Sequence, residues 1–402
     1  MGFEYTISQS RHLMRLPDTR FWFFYTERQF QLHDLGLLAR MFLVVLFLGT
    51  ASVFPASPPS TYPPAPGQVL APSGAESDAR KSLFEGKAEE ALRLLLAAQP
   101  ERGGDPAHAR LAGLTFLALE RPARAIESLA RGGEEEREMA AFLLRRQAPD
   151  AAPAAFKPTQ APWPGITREI LKEKDPRALL SSPDGTLWLM SKDRLAHLSP
   201  EGRTLATMSL PGARDLVSDG EGGPIALGSK QVLWRGKVLL LPPDLDKPIS
   251  AAESPDGRLF LLDGRGPALV QLSSSGKVEG RSVFPLGDPV RVRVDGVGRV
   301  YLLDATTRCV FVYSAALSPL RILDPEARGL KLRKASDLFV DFAGDMLLLD
   351  GREDAAALFS AQGRFLGASR REETRMEALS WDGTGSLVYL DRHEDSVGRV
   401  DL

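Results

Sequence analysis

The residues best placed to do chemistry are acids that recur at one register. Asp263, Asp304, Asp350 and Asp391 each end a short apolar run, in Gly257-Arg-Leu-Phe-Leu-Leu-Asp263 and its three close copies starting at Gly298, Gly344 and Gly385. A ring of such carboxylates could hold a divalent cation. Alternatively, each acid accepts backbone N–H groups within its own turn, and the per-repeat recurrence favours that second role, because a metal site usually breaks symmetry. The turns that follow carry cations: Lys192, Lys230, Arg265, Arg308, Arg352 and Arg392. Gathered at one mouth, these six form the candidate surface for an anionic peptide or glycan. No catalytic, cofactor-binding or metal-ligating set is assigned. The five histidines (His12, His33, His108, His197 and His393) are scattered and no Gly-x-Ser-x-Gly elbow is present. Glu134-Glu-Glu136 reads as a helix start, where negative charge is favourable.

The elements that must position these residues follow from the repeat. Looser copies begin at Gly185 and Gly223, so six aligned glycines lie 38, 34, 41, 46 and 41 residues apart. A turn glycine followed by a nearly continuous apolar run reads as a strand buried on both faces. A period near 40 with several strands per period predicts propeller blades. Pro183-Asp-Gly185, Asp295-Gly-Val-Gly298 and their equivalents supply the first turn of each blade. The expected architecture is multidomain α + β: a small α-helical repeat region followed by an all-β six-bladed propeller over 166–402. The last blade ends after its third strand, and Gly165–Ile170 is expected to supply the fourth and close the circle.

Residues 1–52 form an N-terminal extension with a signal peptide or anchor. The run Met41–Leu48 has the length of a signal h-region, Arg40 flanks it, and Gly49-Thr-Ala51 suits cleavage. Export to the periplasm or outside the cell is expected, with membrane anchoring through this segment as the alternative. Residues 53–74 are a Pro-rich linker and 148–165 a Pro/Ala linker. Residues 75–147, rich in Ala, Leu, Glu and Arg, predict a helical region with a last helix over 134–147.

Composition excludes several classes. With 43% hydrophobic and 25% charged residues the chain is globular, and a formal charge of −2 provides no field for nucleic acid. The basic run Arg328, Lys331, Arg333 and Lys334 lacks interleaved aromatics. The one cysteine, Cys309, forms neither an internal disulfide nor a zinc cluster and reads as a small strand residue.

Two resemblances attach to these residues. Asp304-Ala-Thr-Thr-Arg308-Cys-Val-Phe-Val-Tyr-Ser314 and Asp350–Ser360 resemble NHL-type propeller repeats, although the loop asparagine of that family is missing. Leu83–Ala98 and Leu111–Ile126 look like tetratricopeptide units, with Ala91 and Ala125 34 residues apart and Gly113, Phe116 and Ala125 at the small, aromatic and small positions. The resemblances concern fold; together with the expected export segment, the helical-repeat and propeller surfaces are read as a non-enzymatic scaffold or binding protein of the cell envelope, with no cofactor and with a protein or glycan partner. The alternative is a metal-dependent propeller hydrolase of the lactonase type, or a lyase. Such lactonases hold a central metal through Glu, Asn and Asp, and no asparagine occurs in 166–402.

Overall fold

A computed structural model of the chain describes residues 74–102, 105–147, 166–182, 184–220, 222–328, 332–351, 355–369, 376–381, 386–391 and 396–401. These belong to one compact unit. The expected export segment 41–51, Arg352, Arg392 and both linkers lie outside the described residues.

Among the described residues six α-helices form: α1 (Gly74–Phe84), α2 (Ala88–Arg102), α3 (Pro106–Ala118), α4 (Pro122–Leu129), α5 (Glu134–Gln147) and α6 (Arg168–Lys174). Pro106 opens α3 behind Asp105, whose carboxylate accepts from Ala107 N at 3.0 Å. Gly113 lets α3 and α4 approach: a Cβ there would lie 2.6 Å from Leu129 Cγ, and Leu129 and Ala125 are fully buried.

The β-region is a propeller. Its four-stranded sheets are β1–β4 (Ala178–Ser181, Leu187–Met190, Arg194–Leu198, Thr204–Ser209), β5–β8 (Asp215–Ser218, Pro224–Leu227, Gln231–Trp234, Lys237–Leu240), β9–β12 (Pro248–Glu253, Leu259–Asp263, Ala268–Leu272, Val278–Val283), β13–β16 (Pro289–Val294, Val300–Asp304, Cys309–Tyr313, Pro319–Leu323) and β17–β20 (Ala335–Val340, Met346–Asp350, Ala355–Phe359, Phe365–Ser369). All are antiparallel in chain order. The second strands β10, β14 and β18 are buried along their whole length, which is why the repeated phrase is apolar without alternation.

The expectation of six four-stranded blades is corrected. Among the described residues five complete blades form, and the last sheet has three strands, β21 (Met376–Trp381), β22 (Ser386–Asp391) and β23 (Ser396–Asp401). The predicted closing strand is a helix instead. Thr167 caps α6 through Oγ1, which accepts from Ile170 N at 3.4 Å, and Asp175 ends it in the left-handed region. Ile166 and Leu171 then pack on Val388, Leu390 and Val397 of the last sheet and on Leu179 and Leu187 of the first. Closure comes from that apolar contact, from β1 lying beside β21, and from Ser181 N donating to Ser380 Oγ at 3.3 Å.

Strand alternation divides the turns between two faces. First-to-second and third-to-fourth turns lie on one face; second-to-third turns and blade-to-blade connections lie on the other. The helices dock on the first of these. Leu117, Ala125, Leu129, Phe142 and Leu143 form one core with Val297, Phe342 and Ala343 from the first turns of the fourth and fifth blades. Phe142 and Phe342 approach to 5.5 Å between ring centres. Beneath them, Asp295 accepts from Arg299 Nε at 2.5 Å and Tyr301 Oη at 2.9 Å, while Arg299 Nη2 donates to Ala343 O at 2.8 Å. That network ties the two turns together. At Gly344, φ is +93° and a Cβ would collide with Tyr301 Oη and Arg299 Nη2, so only glycine fits there.

Candidate functional site at the propeller axis

The strand-end acids are clamps. Asp263 accepts from Asp246 N at 3.1 Å, Lys247 N at 3.0 Å and Arg265 N at 3.0 Å. Asp304 accepts from Asp288 N at 2.6 Å and Thr307 Oγ1 at 3.0 Å, and Asp350 from Lys334 N at 3.1 Å. Each carboxylate binds the chain entering its blade to its own second strand. Burial raises the Asp304 carboxyl, but the backbone donors at Asp288 and Gly287 and the Thr307 hydroxyl outweigh it and hold it below the usual carboxylate range.

Four of the predicted cations, Lys192, Lys230, Arg265 and Arg308, are among the described residues and follow the second strands on the face opposite α3–α5. Arg265 pairs with Asp246 at 3.8 Å and Arg308 with Glu326 at 2.8 Å. Lys192 and Lys230 are exposed at the second-to-third turns of the first two blades and make no ion pair among the described residues.

One residue inward, the register assembles a set that sequence reasoning missed. Ala178, Asp215, Ser250, Arg291, Asp337 and Ala378 lie opposite Met190, Leu227, Leu262, Leu303, Leu349 and Leu390. In the first two blades that partner, Met190 or Leu227, is the last strand residue, and in the others the strand runs one residue further to its Asp. The six form one level of the innermost strands. At ~3.3 Å per strand residue this level is within about two residues of the face that the helices leave open. Arg293, two residues further along β13, reaches back to it. Arg293 Nη1 donates to Asp215 Oδ2 at 3.0 Å and Ser250 Oγ at 3.0 Å, and its Nη2 to Asp215 Oδ1 at 3.2 Å. Ser250 Oγ donates to Asp215 Oδ2 at 2.5 Å. Arg291 Nε donates to Asp337 Oδ1 at 2.8 Å and its Nη2 to Asp337 Oδ2 at 3.4 Å. The Arg293 guanidinium lies 5.6 Å from the Phe339 ring centre.

Burial pushes the Asp215 carboxyl up, but Arg293 and Arg291 more than offset this and hold it below its ordinary value. Burial likewise disfavours charge on Arg291, and Asp337 and Asp215 reverse that and raise it further. Asp215 and Arg291 are thereby both favoured in their charged forms. Ser250 has its proton committed to Asp215 and no histidine partner, which does not suit a nucleophile. The set does not fit a metal either: both carboxylates are engaged by arginines, and among the described residues no group of three or more His, Cys, Asp or Glu could hold one.

Two further polar groups lie off the axis. His197 stacks on Trp188 with ring centres 4.0 Å apart, and its Nε2 is 2.8 Å from Thr186 Oγ1, which donates its own proton to Asp184 at 2.7 Å. Since that hydroxyl has one proton, His197 donates to it from Nε2. Burial lowers the His197 pKa, partly opposed by Asp184. His108 Nδ1 meets Glu76 Oε1 at 3.0 Å inside the helical region. Cys309 is half-buried in β15, where burial raises its thiol pKa.

No protein-family profile and no curated protein matches the chain. The NHL and tetratricopeptide resemblances therefore receive no support from a family match. Solved structures do match, and they are propellers. A streptogramin B lyase is 12% identical, with 61% of this chain and 85% of that chain covered and a TM-score of 0.42. A calcium-binding regucalcin from Agrobacterium tumefaciens is 14% identical, covering 56% and 89%, with a TM-score of 0.44. A gluconolactonase from Xanthomonas campestris is 11% identical, covering 61% and 88%, with a TM-score of 0.44. The chain has a propeller fold. The similar structures include a lyase and a gluconolactonase, so the expectation of a non-enzymatic chain finds no support among them.

Proposed function

We propose that the chain is a propeller enzyme working at the open mouth of the axis, as a lyase or as a hydrolase that opens lactones or esters. The observation that supports this is the Asp215–Ser250–Arg291–Arg293–Asp337 cluster just inside that mouth. Elimination next to a carbonyl and attack on a lactone both build negative charge on a substrate oxygen. Guanidinium groups already fixed by carboxylates stabilise such charge without reorganising at the moment of reaction. Asp337 and the Val290 carbonyl fix Arg291, whose side chain is 21% exposed, against 8% for Arg293. Arg291 is thus the candidate catalytic residue, and Asp215, Asp337 and Ser250 are positioning residues. Among the described residues, α3–α5 dock on the opposite face.

The test is turnover of a panel of lactones, aryl esters and elimination substrates by the full chain and by Arg291→Gln. Turnover that falls about 10²–10³-fold in the variant, with circular dichroism unchanged, is expected. No turnover across the panel, or full activity in the variant, overturns the reading.

A further inference from the structure

The helical region encloses a cavity of about 250 Å³ lined by α2, α3 and α4 alone. Helical spacing builds it. Leu92, Leu95 and Leu96 of α2 recur at three- and four-residue steps and so share one face, as do His108, Ala112 and Phe116 of α3. Leu92, Leu95 and Ala112 are buried, and Leu96, 54% exposed, carries the apolar surface out toward solvent. The α4 wall is charged. Its Arg124 Nη1 donates to Glu127 Oε2 at 2.8 Å, and Arg131 stands exposed beyond them.

His108 is the deeply buried polar side chain of this lining, at 6% exposure. Its Nδ1 lies 3.0 Å from Glu76 Oε1, which is 5% exposed and outside the cavity lining. An ionised carboxylate accepts and does not donate, so in the neutral ring the hydrogen is on Nδ1 and Nε2 keeps its lone pair. Among the described residues no group bonds to Nε2, and that atom is not sealed from the cavity. The leucines, Ala112 and Phe116 therefore surround one fixed acceptor. A charged group would lose its hydration against these walls, whereas an apolar body with one donor would match them.

We infer that this cavity binds a small, largely apolar molecule with a single hydroxyl or N–H donor, of the class of a phenol, whose donor meets His108 Nε2. The volume suits one small ring, below the usual range of sites for larger ligands. Glu76 is a positioning residue that holds the imidazole in its accepting form. The site is separate from the axial mouth and stands or falls independently of any reaction there.

The probes are phenol, anisole and benzoate. Anisole keeps the ring and the oxygen but has no hydrogen to donate. Calorimetric titration of the full chain is run at about pH 8, above the ordinary imidazole value of about 6.5. Phenol is expected to bind roughly 5–10-fold more tightly than anisole, the worth of one neutral hydrogen bond. Nitrogen NMR of the histidine rings should show phenol moving the His108 Nε2 resonance and leaving His197 in place. The variant His108→Leu/Glu76→Gln removes the acceptor without leaving a buried carboxylate unpaired, and in it phenol should bind no better than anisole. Should that variant not fold, the NMR measurement on the unmutated chain decides. Equal binding of phenol and anisole, or no binding of either, would overturn the inference. So would a phenol complex in which the His108 resonance stays still. Benzoate binding more tightly than phenol would show an anion site on a charged ring, and would overturn it as well.

Discussion

Arg293 is the residue on which the axis depends, and it depends on Asp215. Replacing one partner of a buried ion pair leaves the other charge uncompensated, at a cost of about 3–5 kcal/mol. Asp215→Asn keeps the shape and removes the charge; with Asp337 still 3.5 Å from Arg293 Nη2, the unfolding free energy should fall by up to that amount at unchanged m-value. A loss below about 1 kcal/mol would show that Arg293 finds another partner. The two lowered carboxyls set acid behaviour. Asp215 and Asp304 are both held below their ordinary values in the fold. Their contribution is therefore present above the unfolded carboxylate pKa of about 3.9 and is lost as pH falls through their lower folded values. His197 has the opposite chemistry and the same direction. Its folded pKa is depressed, so the fold prefers neutral imidazole; the stability this gives is complete above the unfolded value of about 6.5 and declines as pH drops below it. An NMR titration should place the His197 midpoint below 6.5 with the proton on Nε2, and a midpoint above 6.5 would contradict the burial argument.

Within a blade, the repeated acid fastens the incoming strand to the second strand. Asp304→Ala would strip acceptors from Asp288 N and Thr307 Oγ1 and should cost roughly 1–3 kcal/mol. Hydrogen exchange at Asp288 should accelerate more than exchange in the fully buried β14. If the acid were instead a metal ligand, adding a chelator would reproduce the same change in the unmutated chain. In the helical region the comparable feature is the Gly113–Leu129 contact. Leu129→Ala opens a cavity between α3 and α4 and should cost about 2–5 kcal/mol.

At the scale of the molecule, helices and blades share one core. Phe142 and Leu143 meet Phe342 and Ala343 on the helix-bearing face, and Phe84 lies against Gly298. Far-UV ellipticity at the helical minimum and tryptophan fluorescence from the blades should therefore lose their native signals in one superimposable transition. Two separated transitions would show that the docking contact is too weak to couple them. Closure by a helix has a consequence too. Ile166 and Leu171 bridge the first and last sheets, so Leu171→Ala should loosen β1 and β23 together.

The sequence by itself determined the blade. An apolar run without alternation must be covered on both faces, and an Asp-Gly turn must precede it, so strand, turn and repeat length were legible in Gly298–Asp304 and its copies. The clamp role of Asp263, Asp304 and Asp350 was legible for the same reason, since local backbone donors recur wherever the turn recurs. The helix over 134–147 was legible from its acidic start. The axis was not. Asp215, Ser250, Arg291 and Asp337 share no motif and are spread across four blades; only the ring brings them to one level. The one hint was charge where the pattern demanded apolar residues, in Pro289-Val-Arg-Val-Arg-Val294. Closure was equally hidden, because Thr167 as a helix cap and Thr167 as a strand residue look alike until the partner surface is in place. Local hydrogen bonding and burial period are written along the chain, whereas which charges meet across an axis is fixed only when every blade has taken its place.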